Sequence, residues 1–294
     1  MTPPAPRPET AGVRLVVSDL DGCLLDSETY AFEAARPALA RLAESGWPLV
    51  LCSGKTRAEM GPLVERLGLA HPFIVENGGA IVFPSSSFDG ELLGARERQG
   101  VRILELGPAR TSLVRALGEI AQAAQVRVRG FADITPGELG TLTGLSEPEA
   151  RAALEREYDE PFLVEEGTVD EIARAAAERG LVVTHGGRFH HLMGGSDKGL
   201  AVRTLLALYE RAGRGLEAAA LGDAETDLSM LKAVRRPVVV PRRDGTVDPA
   251  LAAELPDAER APSPGPAGWN AAVLTMIAGG RLPRIRETVQ GGPR

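Results

Sequence analysis

VRLVVSDLDGCLL, residues 13–25, decides the fold. An apolar run rich in valine ends in two aspartates spaced two apart, followed by a glycine. Residues 13–20 read as a short strand buried on both faces. Side chains two apart on an extended segment share a face, so Asp19 and Asp21 project together from its end. Gly22 permits a tight turn after them. Two carboxylates buried together are costly unless a proton or cation compensates. Mg2+ suits such a place, because it takes hard oxygen ligands and is held by one or two carboxylates plus phosphate.

Working outward, a helix is predicted over 36–45, with Pro37 in its first turn and Gly46 at its end. WPLVLCS (47–53) reads as a second buried strand. Thr56 and Glu59 form a capping box for a helix ending near Gly68, with a kink expected at Gly61-Pro62. PFIVENGGAIVFP (72–84) reads as two strands around an Asn-Gly turn. This alternation predicts a parallel sheet covered by helices on both faces, with ligands bound beyond the carboxyl ends of its strands.

The middle of the chain breaks that rhythm. Strands are predicted at 101–106, 126–131, 162–165, 181–185 and 188–193, and helices at 112–124, 147–157 and 169–179. Gly186-Gly187 reads as a hairpin turn. This composition predicts an α+β unit inserted into the first. The α/β pattern returns with a helix at 199–212, a strand at 218–223 ending in Asp223, a helix to about Val234, a strand at 236–240 and a short helix at 269–277. The expected organisation is a disordered segment 1–12, a core of 13–85 and 194–278, an inserted domain 86–193, and a loose tail 279–294.

The polar residues at predicted strand ends form a set. Ser53 is followed by Gly54, a hydroxyl and backbone N–H groups suited to a phosphate oxygen. Lys198 opens a helix, where its charge and the helix dipole both favour an anion. Asp223 ends the next strand and Asp227 lies one helical turn on. Lysine is rare here (Lys55, Lys198 and Lys232 only), so each draws notice.

Composition narrows the partners. The 294 residues are 44% hydrophobic and 25% charged, as in an ordinary globular chain of one or two domains. The net charge of −7 argues against nucleic-acid binding. Cys23 and Cys52 lack metal-knuckle spacing and fit a reducing, cytoplasmic setting. Residues 1–12 have no apolar stretch of the signal-peptide kind, so none is expected, and no apolar run is long enough to span a membrane; the net charge does not exclude a small anionic substrate, because a site needs only a few local cations. The oligomeric state is not legible.

DLDGC (19–23), the serine of CSGKTR (52–57), the lysine of GSDKG (195–199) and GDAETD (222–227) together resemble the four signatures of the haloacid dehalogenase (HAD) phosphatase superfamily. The resemblance covers most of residues 13–277. It implies an α/β fold: a Rossmann-like parallel-sheet core with an inserted α+β cap of the C2 type. SGKTRAEM (53–60), ENGG (76–79), REYDEPF (156–162), GRFHHLMGGSDKG (187–199) and GDAETDLSML (222–231) are similar, more narrowly, to the mannosyl-3-phosphoglycerate phosphatase family. Cys23 and Thr226 depart from its pattern, which usually has Thr or Val at the first position and often Asn at the second.

The resemblance implies that Asp19 is a nucleophile forming an aspartyl-phosphate and Asp21 a general acid and base. It implies Mg2+ held by Asp19, the backbone carbonyl of Asp21 and Asp223, with Asp227 orienting water or Lys198, and Ser53, Gly54 and Lys198 binding the phosphoryl group. The implied substrate is mannosyl-3-phosphoglycerate, with its glucosyl analogue; a broader sugar-phosphate phosphatase of the sucrose- or trehalose-phosphate kind and a phosphomutase are alternatives. A phosphoglycerate carries a carboxylate besides its phosphate, so cationic contacts are expected. Candidates for substrate contacts more generally are Lys55 and Arg57 after the phosphate serine, Arg156 and Glu160 in REYDEPF, and Arg188 and His190 on the strand that re-enters the core.

Overall fold

The structure is a computed structural model, and it describes residues 13–85, 87–186, 188–212 and 216–286. The segment expected to be disordered, 1–12, and positions 287–294 of the expected loose tail lie outside those residues, as does Gly187 of the predicted hairpin turn.

In chain order the first part holds β1 (Val13–Ser18), α1 (Arg36–Ser45), β2 (Leu49–Leu51), α2 (Arg57–Arg66), β3 (Phe73–Val75) and β4 (Ala80–Pro84). Next come β5 (Arg96–Arg98), β6 (Val101–Glu105), α3 (Arg110–Ala124), β7 (Arg127–Gly130), α4 (Pro136–Thr143) and α5 (Glu147–Leu154). They are followed by β8 (Glu160–Glu166), α6 (Val169–Ala177), β9 (Val182–Gly186), β10 (Phe189–Met193) and α7 (Lys198–Arg211). The chain closes with β11 (Leu216–Gly222), α8 (Leu228–Lys232), β12 (Arg236–Val239), α9 (Pro249–Glu254), β13 (Glu259–Arg260) and α10 (Gly265–Ile277).

The core is a five-stranded parallel sheet in the order β13-β12-β11-β1-β2. Its apolar runs are continuous because both faces are covered. Val16, Leu49, Leu51, Leu221 and Val238 pack with Ala38 and Leu42 of α1 and Trp269 and Val273 of α10. Leu15, Val17, Val50, Ala220 and Val239 pack on the other face with Val202 and Leu205 of α7 and Met230 and Leu231 of α8. β1 is an interior strand, between β11 and β2, and its end is pinned when the Asp19 N–H donates to Leu221 O at 2.9 Å. α1 and α2 occupy the predicted spans. Thr56 and Glu59 exchange their capping hydrogen bonds (Glu59 N–H to Thr56 Oγ1 3.1 Å, Thr56 N–H to Glu59 Oε2 2.8 Å), and α2 runs on through Pro62 as one helix.

A second, antiparallel sheet has the order β3-β4-β6-β5, and β3 continues the core through a parallel bridge between Cys52 and Ile74. Here the structure departs from expectation. The strand at 101–105 was assigned to the inserted unit, but it pairs along its whole length with β4, Val101 opposite Pro84 and Glu105 opposite Ala80. Its adjacent Ile103 and Leu104 pack into two different apolar layers, so nothing local reveals which sheet it joins. α4, α9 and the short β5 and β13 were not anticipated.

The third sheet, β7-β8-β10-β9, is antiparallel. One of its faces is covered by α3 and α6 through Leu113, Leu117, Ile120, Phe162, Ile172 and Leu192. Its other face carries Phe189, packed with Phe131, Leu139 and Ala150 around α4 and α5. No helix among the described residues is long and apolar enough to cross a membrane.

Candidate active site

Three strand ends and one helix start converge. Asp19 follows β1, Ser53 follows β2, Asp223 follows β11, and Lys198 opens α7. The Lys198 ammonium sits between two carboxylates, donating to Asp19 Oδ1 at 2.6 Å and Asp227 Oδ1 at 2.7 Å. All three groups are buried. Burial opposes charge on Lys198, but Asp19 and Asp227 outweigh it and hold the ammonium above its usual range. Asp227 is fixed at its other oxygen by the N–H groups of Asp223 (3.0 Å) and Ala224 (3.2 Å). It thus shapes the turn carrying Asp223 and anchors the lysine at once.

Carboxylate oxygens of Asp19, Asp223 and Asp227 lie within 4.8 Å of one another. One ammonium cannot balance three carboxylates. Burial and the neighbouring Asp227 push Asp19 well above the usual carboxylate range, Lys198 opposing. The same two causes push Asp223 up to about 7. A buried, oxygen-only set with surplus negative charge fits a hard divalent cation. Asp223 also presses on the turn after β1. A side-chain carbon at Gly22 would stand 2.6 Å from Asp223 Oδ2, and the residue has φ +81°. Glycine is therefore required there twice over, by space and by backbone.

Asp21 is not part of the cluster. Its side chain is half exposed and pairs with Lys55 Nζ at 2.8 Å, and Lys55 in turn lies 5.0 Å from the centre of the Tyr30 ring. Burial disfavours the Lys55 charge, yet Asp21 raises its pKa overall. Ser53 is buried, and its Oγ accepts the Lys55 N–H at 3.2 Å. The ENGG turn braces this loop: the Asn77 N–H donates to Ser53 O at 3.0 Å. Gly78, at φ +96°, packs so closely on the backbone before Lys198 that a Cβ would stand 2.1 Å from Asp197 O. That turn therefore sets the spacing between the serine loop and the lysine helix.

One cavity of about 730 Å³ joins these groups. Asp19, Asp21, Ser53, Gly54, Lys55, Asn77, Lys198 and Asp223 line its core side, and Arg156, Phe131, Phe189 and His191 are among the residues lining its cap side. The two sides are tied by hydrogen bonds. Thr56 Oγ1 donates to Ala152 O at 2.8 Å, Arg156 Nη2 donates to Gly54 O at 2.8 Å, and Glu76 accepts the N–H groups of Glu157 and Tyr158, each at 2.8 Å. Burial pushes Glu76 up to about 7, Arg156 opposing.

The remaining candidates divide. Arg156 is buried at the cavity wall, where Nη2 also reaches Asp159 Oδ2 at 2.7 Å. Arg57 does not line the cavity; it is spent on Glu157 (3.0 Å) and Gln99 (2.8 Å). Glu160 is turned into the interior of the cap, accepting from Arg110 Nε at 2.6 Å and Ala132 N–H at 2.8 Å. Arg188 is exposed in the turn before β10, and His190 faces His185 and the Phe162 ring; neither lines the cavity. For the two histidines the difference is one register step. Leu192 and Phe162, which is opposite His190, belong to the helix-covered face, so Phe189 and His191 take the open one.

Sequence reasoning missed His191, Asp159, Glu76 and Arg242, the last a cavity-lining arginine paired with the buried Asp248. The RFHHLM stretch has apolar residues at 189, 192 and 193, so its alternation does not say which histidine faces in. Glu76 stood inside a stretch whose turn alone was read. Cys23, buried beneath Ser18, and the exposed Thr226 at the cavity rim leave the geometry of the cluster intact.

Residues 16–94 match the haloacid dehalogenase-like hydrolases. A glucosyl-3-phosphoglycerate/mannosyl-3-phosphoglycerate phosphatase of Methanococcoides burtonii is 41% identical over 268 residues, covering 90% of this chain and 97% of that protein. A mannosyl-3-phosphoglycerate phosphatase of Pyrococcus furiosus is 36% identical, over 76% of this chain and 88% of that protein. Among solved structures, a Thermoplasma acidophilum protein shares the fold at TM-score 0.63 and 21% identity, over 91% of this chain and 99% of that one. A Bacteroides thetaiotaomicron phosphatase of the same superfamily does so at TM-score 0.63 and 18% identity, over 95% and 99%. The convergence of acid and lysine at the strand ends and these similarities agree: the chain belongs to the haloacid dehalogenase-like hydrolases, in the family of the glucosyl-3-phosphoglycerate/mannosyl-3-phosphoglycerate phosphatases.

Proposed function

We propose that this chain is a Mg2+-dependent phosphatase that hydrolyses mannosyl-3-phosphoglycerate, and its glucosyl counterpart, to the glycosylglycerate and inorganic phosphate. The observation that carries the reading is the meeting of Asp19, Asp223 and Lys198 at one end of the cavity. The names of the relatives supply the substrate class.

A phosphate monoester dianion repels an attacking carboxylate, so charge must be neutralised and the reacting groups aligned. Asp19 attacks phosphorus, the bond to the leaving oxygen breaks, and Asp21 gives that oxygen a proton. Asp21 then takes a proton from water as the water attacks the aspartyl-phosphate, releasing phosphate and restoring Asp19. Ser53, the Gly54 N–H and Lys198 hold the phosphoryl oxygens, and Asp227 keeps Lys198 aimed. Mg2+ would be held by Asp19, the Asp21 carbonyl and Asp223, supplying positive charge beside the transferring group. The cap that bears Arg156 and His191 excludes water. It is read as the segment after β6 up to the end of β10, and the pairing of β6 with β4 supports that start.

A phosphate-release assay across mannosyl-3-phosphoglycerate, glucosyl-3-phosphoglycerate, sucrose phosphate and trehalose phosphate tests the reading, with Asp19→Asn as control. Strong preference for the two phosphoglycerate esters is expected. Equal turnover of all four would remove the substrate assignment, and turnover surviving in Asp19→Asn would remove the mechanism.

A further inference from the structure

We propose that His191 reads a hydroxyl group of the substrate's sugar, through Nε2 acting as a hydrogen-bond acceptor whose state is set by Asp159. The inference rests on the glycosyl phosphoglycerate reading above.

His191 Nδ1 lies 2.9 Å from Asp159 Oδ2 and 3.2 Å from Oδ1. Asp159 is buried, and although burial works against its charge, Arg156 and His191 hold it below the usual carboxylate range. An ionised carboxylate only accepts, so Nδ1 carries the proton. With Nδ1 committed to Asp159, Nε2 is the ring nitrogen left to meet a ligand. The ring lines the cavity, and its Nε2 has no hydrogen-bond partner among the described residues and is not a sealed, unpartnered atom. Nε2 as an acceptor facing a cavity suits a hydroxyl, not the phosphate or carboxylate of the same substrate, whose ionised oxygens have no hydrogen to give.

The surroundings fit a sugar ring. Phe131 and Phe189 meet edge to face at 4.8 Å on the cap wall, an apolar surface for the C–H face of a hexose. Thr184, the register partner of His191, adds a hydroxyl on the same wall. The unit is also tied to the phosphate side: Gly54 O accepts from Arg156, Arg156 holds Asp159, and Asp159 holds His191. A hydroxyl seated on His191 is thereby placed at a fixed offset from the phosphate loop, so its binding aligns the ester as well as retaining it.

The test compares kcat/KM for mannosyl-3-phosphoglycerate with that for 3-phospho-D-glycerate, which lacks the sugar. His191→Asn keeps a donor toward Asp159 but removes Nε2; the ratio is expected to fall about tenfold. His191→Gln, which returns an amide oxygen near the Nε2 position, is expected to recover part of it, and 15N NMR of the wild type is expected to show the Nδ1-protonated tautomer. Equal losses on both substrates, or an Nε2-protonated ring, would overturn the proposal. Failure of the wild type on both glycosyl esters would overturn the functional reading, and this inference with it; a normal wild type with an unmoved ratio removes the inference alone.

Discussion

Replacing Lys198 by Met isolates the electrostatics on which the site depends. The lysine side chain is 3% exposed and bridges two carboxylates at 2.6 and 2.7 Å. Methionine approximates its volume, so little of the loss arises from packing. What remains is a pair of buried carboxylates without their counter-ion. Breaking a buried pair by removing one partner costs about 3–5 kcal/mol, against at most about 1 kcal/mol for an exposed pair. Urea unfolding at near-neutral pH with a chelator present measures this, and an unchanged m-value keeps the comparison two-state. Adding Asp227→Asn to Lys198→Met removes one of the two stranded charges, so the double variant should lose less than the sum of the single losses by about 1–3 kcal/mol. Activity should fall by about 10²–10³-fold in kcat, the usual loss for one preorganised group facing developing charge. A Lys198→Met destabilisation below about 1 kcal/mol, or strict additivity in the cycle, would refute the claim that this ammonium is the counter-ion Asp19 and Asp227 share.

Two further outcomes are expected. Asp223, raised to about 7 by burial and Asp227, is drawn further into its charged form by a bound cation; Mg2+ should therefore raise the melting temperature of the wild type while leaving Asp223→Asn nearly unmoved, and chelation should abolish turnover reversibly. Glu76 has a folded pKa of about 7 against an ordinary 4.5, so the folded state binds the extra proton and stability falls as pH rises between those values. The loss approaches about 3 kcal/mol at full ionisation, and Glu76→Gln should flatten that part of the stability–pH curve in denaturant titrations.

The residues at the strand ends were legible because each lies within a few positions of a strong local signal. Asp19 and Asp21 close an apolar run, Ser53 and Gly54 close another, and Lys198 follows the Asp197 cap of its helix. Glycine at 22 and the capping pair Thr56–Glu59 are likewise local choices, made by backbone and hydrogen-bond geometry over a few residues. The order of elements was enough for a parallel α/β core.

The rest depended on contacts between segments far apart in the chain. Whether the 101–105 strand joins the core-side sheet or the cap is a pairing choice that its own apolar pattern does not make. His190 and His191 are adjacent and chemically identical; the layer formed by Phe162, Leu192 and the helices α3 and α6 turns one away from the cavity and the other into it. Arg57 and Arg156 are equally basic, and their partners Glu157 and Gly54 lie about a hundred positions away in each case, so their fates were written in no local stretch. Sequence by itself determined which chemical groups stand at the ends of buried strands, because hydrophobic burial and turn geometry act locally. Tertiary structure decided which cap groups face them, because a one-residue change of register costs nothing locally and reverses every side chain on a strand.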